Sequence, residues 1–114
     1  MTKKLVNEKK TDSYEMSVFE VPTAWGIVKE TIFTRPENKV GQFTLRTVIR
    51  EWVSQKGHAR SNKKYEILEN DKVIAYEWAN VRWDSEEKKE YLANKSEVRM
   101  FFQLWDLYKR FATK

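Results

Sequence analysis

The segment Glu97 to Lys114, EVRMFFQLWDLYKRFATK, is the part of the chain that most limits the fold. At helical spacing it carries two apolar stripes. Val98, Phe101, Phe102, Trp105 and Tyr108 form one, and Met100, Leu104, Leu107 and Phe111 the other. Between them runs only a narrow polar strip of Arg99, Gln103, Asp106 and Arg110. A helix apolar over most of its circumference has to be covered on two sides. The first stripe therefore calls for a sheet or helix of the same chain. The second calls for more of the same domain, a partner helix or a second copy.

The material for such a core is present. Sixteen of the 114 residues are aromatic, and 40% of the chain is apolar. Each aromatic ring buries about 150–250 Å², so one small domain of this length closes a core. The segment Met1 to Ser13 is cationic and has no apolar run, which reads as a flexible solvated tail before a single domain from Tyr14 to Lys114. There is no cysteine, which excludes disulfides, thiolate metal sites and a cysteine nucleophile. No run approaches the roughly 18 apolar residues of a membrane-spanning helix. A cytoplasmic protein is expected.

Along the chain, Tyr14 to Val21 alternates like a strand, with Pro22 closing it. Ile27 to Thr34 is rich in β-branched residues and reads as a second strand, with a helix from Thr23 as the alternative. Arg35 to Gly41 reads as a loop. Leu45, Val48, Ile49, Trp52 and Val53 fall at i, i+3, i+4, i+7 and i+8, which predicts an amphipathic helix capped by Thr44 and ended by Gly57. A hairpin follows, turning at Asn70-Asp71. It pairs Glu69 with Lys72, Ile67 with Ile74, Tyr65 with Tyr76, Lys63 with Trp78, and Lys64 with Glu77. Ser85 is placed to cap a further helix, SEEKKEYLANK. The fold expected is α+β: a small antiparallel sheet with one central amphipathic helix and a C-terminal helical segment packed on it.

The charge is unevenly spread. Arg46 to Lys64 holds six cations (Arg46, Arg50, Lys56, Arg60, Lys63 and Lys64) against Glu51 alone, and the remaining residues balance sixteen cations with sixteen acids. Such a surplus repels itself and favours an anionic partner. The candidate nucleic-acid-binding residues are those six cations, with His58 and Asn62 as auxiliary donors. Trp52, Tyr65 and Trp78 nearby read as core residues, although as surface rings they would stack unpaired bases. A standard helix-turn-helix is disfavoured, because a helix after Gly57 would turn Arg60, Lys63 and Glu66 towards the first helix; a helix followed by a basic hairpin stays open.

Catalytic signals are weak. His58 is the sole histidine, so a two-histidine metal or acid–base pair cannot form within one chain. A metal-independent ribonuclease would have to use His58, Arg60, Lys64 and Tyr65. The E-x-K match at Glu37-Asn38-Lys39 recurs at Glu8-Lys9-Lys10 and Glu87-Lys88-Lys89, as chance dictates in a Lys/Glu-rich chain. There is no Gly-rich phosphate loop or nucleophile elbow. The expectation is a non-enzymatic protein without cofactor or metal that binds nucleic acid or another polyanion. The alternative is a protein-binding adaptor or inhibitor, of the kind found among phage and mobile-element accessory proteins. It would use the basic patch on an acidic protein, or Met100, Leu104, Leu107 and Phe111 on a helical partner or in a homodimer.

Overall fold

A computed structural model describes residues 3–79, 81–84, 89–92 and 95–112. Six strands run in chain order: β1 (Lys4–Lys10), β2 (Glu15–Thr23), β3 (Gly26–Val40), β4 (Phe43–Val53), β5 (Ala59–Glu69) and β6 (Lys72–Ala79). Each pairs antiparallel with the next, so they form one six-stranded meander. A separate hairpin, β7 (Val81–Asp84) and β8 (Lys89–Leu92), precedes the helix α1 (Lys95–Ala112). Among the described residues no helix is long and apolar enough to cross a membrane.

The expected central helix is absent: Leu45 to Val53 lies in β4, a central strand of the sheet. Its helical spacing is a coincidence of two strand faces that both carry apolar residues. Phe43 and Leu45 point to α1, while Val48 is buried on the opposite face. A strand apolar on both faces loses its clean alternation and mimics other periods. Thr44, Thr47, Val48, Ile49 and Val53 are all β-branched, which stiffens the side chains in the sense a pleated sheet favours. Thr44 faces Leu68 across the ladder and caps nothing. Gly57 does adopt a left-handed φ of 81°, but it does so in the turn from β4 to β5.

Three further expectations are corrected or adjusted. Arg35 to Val40 continues β3 across an irregularity between Thr34 and Lys39, and only Gly41, at φ 60°, turns the chain. Lys89 to Leu92, expected within a helix from Ser85, is strand β8, while residues 85–88 of that expected helix lie outside the described residues. Lys4 to Lys10, read as tail, pairs with β2 as an edge strand that is exposed along its whole length. Its lysines discourage pairing with another sheet edge.

The Asn70-Asp71 turn forms as expected, with both residues at positive φ (49° and 70°), as a two-residue type I′ loop requires. Glu69 pairs with Lys72 and Leu68 with Val73, but then β6 carries one extra residue, Ile74, and Ile67 faces Ala75. From that bulge onward the register departs from expectation: Tyr65 faces Glu77, Lys64 faces Trp78 and Lys63 faces Ala79. A slip of one residue moves every side chain beyond it to the other face. Tyr76 and Trp78 thus leave the core side and join Glu66 and Lys64.

The core lies between α1 and one face of the sheet, from Phe43, Leu45, Ile67, Phe101 and Trp105, with Val40, Tyr65, Ala75, Phe102, Leu104 and Tyr108 packed around them. Phe43 meets Tyr108 at 4.9 Å between centroids, and Tyr65 meets Phe102 edge-on at 5.0 Å. The first apolar stripe of the helix therefore packs on the sheet, and Leu104 of the second stripe joins it. Trp105 is only 3% exposed. Trp105→Ala should cost about 3–5 kcal/mol through lost burial and the cavity left behind; a urea melt whose midpoint stays at the wild-type value would contradict this placement.

Candidate nucleic-acid interface

Alternate residues of a strand point to opposite faces, and the ladder partners fix which side chains share a face. On the sheet face turned away from α1, four rows cross β4 and β5. The first holds Arg46 and Glu66, with Tyr76 next to Glu66 on β6; the second holds Val48 and Lys64, with Trp78 beyond. The third holds Arg50 and Asn62, with Glu30 beside Arg50 on β3; the fourth holds Trp52 and Arg60. Each row therefore has one cation, alternating between the strands: Arg46 on β4, Lys64 on β5, Arg50 on β4 and Arg60 on β5. Rows lie about 6.6–6.8 Å apart, so this zigzag runs for about 20 Å down the middle of the sheet.

Two carboxylates sit inside it, each held by two cations. Glu66 accepts from Arg46 Nε at 2.7 Å and Lys64 Nζ at 3.1 Å. Glu30 accepts from Lys3 Nζ at 2.9 Å and Arg50 Nε at 3.1 Å. Both glutamates are 5% exposed. Burial alone would push their carboxyls up. The hydrogen bonds and charges of the flanking cations outweigh it, and both titrate below the ordinary glutamate value. Lys3, Arg46, Arg50, Arg60 and Lys64 against two carboxylates leave three positive charges on the centre of this face.

Rings adjoin the cations. Lys64 Nζ stands 5.5 Å from the Tyr76 centroid and 5.2 Å from that of Trp78, while the Arg50 guanidinium lies 6.0 Å from Trp78. Tyr76 is 59% exposed. Asn62 Oδ1 is buried without a hydrogen-bond partner, an acceptor left open in the third row.

The eight residues singled out by sequence thus divide. Arg46, Arg50, Arg60, Asn62 and Lys64 share this face. Lys63 points to the helix side, over the Tyr65 ring at 5.2 Å. Lys56 and His58 are exposed in the turn after β4, where the His58 backbone N–H donates to Ser54 Oγ at 3.2 Å. Tyr65 belongs to the core, whereas Trp52 and Trp78 lie on the open face. Lys3, Glu30, Glu66 and Tyr76 were not anticipated as members of the site. The signal that finds them is the sign alternation Arg46–Glu66–Lys64, and it is visible only when Arg46 is placed on a strand.

Of the second helix stripe, Met100, Leu107 and Phe111 are exposed. A groove of about 1170 Å³ is lined by Val18, Ile27, Val53 and the 80% exposed Trp25, and also by Arg50, Trp52 and Arg60. Among the described residues no group of three or more His, Cys, Asp or Glu side chains is arranged to hold a metal ion.

The glutamate clusters set a pH dependence. Their folded pKa values lie below the unfolded value near 4.5, so their stabilisation is complete above that pH and is lost as pH falls through the folded values. Stability should stay level from neutrality to about pH 5 and decline below it. Glu66→Gln should shrink the acid-side decline in urea melts taken across that range; an undiminished decline would mean that Glu66 takes no part in it.

No protein-family model, curated protein or solved structure matches the chain.

Proposed function

We propose that the protein is a non-enzymatic nucleic-acid-binding protein that takes the phosphate backbone on the open face of its sheet. The observation that carries this reading is the zigzag Arg46–Lys64–Arg50–Arg60, which lies on the sheet face turned away from α1 and keeps a positive surplus after Glu30 and Glu66 are paired. Guanidinium and ammonium groups are the usual phosphate contacts, and release of counterions supplies most of such affinity. The absence of cysteine fits a reducing cytoplasm, where nucleic acid is at hand.

Affinity for an oligonucleotide should fall steeply with salt. Arg60→Ala should weaken binding to all sequences and lower the slope of log affinity against log salt by about one. Lys63→Ala, on the opposite face, should leave that slope unchanged. Failure to retain any DNA or RNA at low salt would end this reading, and equal losses from the Arg60 and Lys63 variants would move the site off the open face.

One observation favours a second reading, an adaptor or homodimer that uses α1. Met100 is 67% and Leu107 46% exposed on the helix surface away from the sheet. Leu107→Glu should then reduce the mass measured by light scattering, or abolish capture of a helical partner, while the melting temperature holds. An unchanged mass with no captured partner counts against it.

A further inference from the structure

We infer that the nucleic acid taken by the open face is single-stranded, an inference that rests on reading this face as a nucleic-acid surface. Two features carry it. The first is shape. The major groove of B-DNA, about 12 Å wide, admits a helix or a two-stranded ribbon. The cation zigzag lies on β4 and β5, flanked by β3 and β6 within a sheet of six strands spaced about 4.8 Å. A slab of that width cannot enter a groove, so a duplex would touch only its outer phosphates.

The second is the pair of rings. Tyr76 and Trp78 stand two residues apart on β6, beside the first two rows, with the Lys64 ammonium within 5.5 Å and 5.2 Å of their centroids. A phosphate drawn to Lys64 carries the bases on its two sides towards these two rings. Unpaired bases offer their faces to such rings, whereas the bases of a duplex are already stacked on one another. Arg50, next to Trp78, and Arg60, next to Trp52, continue the track.

The test measures binding of a labelled pyrimidine oligonucleotide of about twelve residues as a single strand, its duplex, and heparin as a base-free polyanion, all at one salt concentration. The single strand should bind at least tenfold more tightly than the duplex. Tyr76→Ala should weaken single-strand binding about tenfold, the loss of one stacked base, and leave the salt slope and heparin binding unchanged. Tyr76→Phe should bind like wild type. Tyr76 is a surface ring, and circular dichroism confirms that the variants are folded. Duplex binding as tight as single-strand binding, or wild-type single-strand affinity in both Tyr76→Ala and Trp78→Ala, overturns the inference and leaves the nucleic-acid reading standing. Retention of heparin alone overturns both, and so does retention of none of the three probes.

Discussion

One helix cannot cover a six-stranded sheet, and the rest of this structure follows from that mismatch. Eighteen residues of α1 make a cylinder about 27 Å long and about 10 Å across. Six strands about 4.8 Å apart span about 29 Å. The helix therefore settles over the part of one face that carries Phe43, Leu45 and Ile67, and the described residues hold no second helix for the opposite face. Side chains of the sheet itself must shield its backbone there. Arginine and lysine suit the task, because their aliphatic stems lie along neighbouring strands while their charged ends reach water. That is how Glu30 and Glu66 come to be buried on the face turned away from α1.

The two carboxylates give this arrangement its order. Alone, either would be costly to bury; flanked by two cations, each stays ionised and holds its neighbours in place. The pairing is unequal, two cations to each acid, so a local network of ion pairs still leaves a positive surface. The cations that stabilise the strands are thus the ones that, in the proposed function, would meet a polyanion, already desolvated in part and fixed beside Tyr76 and Trp78. Such prior ordering lowers the entropy lost when a flexible ligand is bound.

The sequence made some of these features easy to read and concealed others. The Asn70-Asp71 turn was legible because few dipeptides accept positive φ twice. The first stripe of α1 was legible because a single amphipathic helix follows one period. β2 and the start of β3 announced themselves through alternation and β-branching. β4 did not, because Leu45 and Val48 answer to different layers and together imitate a helix. That misreading also hid the site: on a helix, Arg46 and Arg50 are a like-charge pair one turn apart, whereas on a strand each stands against a glutamate. Charge alone marked out a stretch of chain but could not say which face its residues would take. Lys63 and Lys64, adjacent in sequence, end on opposite sides of the sheet.

The extra residue at Ile74 has a consequence of another kind. Which face Tyr76 and Trp78 take depends on the bulge in β6, whereas what they offer there depends on their identity. Substitution can tune that margin one ring at a time, but the same chain paired without the bulge would bring Ala75, Glu77 and Ala79 to the open face in place of the rings. Loss of Ile74 itself would heal the ladder and keep Tyr76 opposite Glu66 and Trp78 opposite Lys64, so the rings depend on where the strand absorbs its surplus residue.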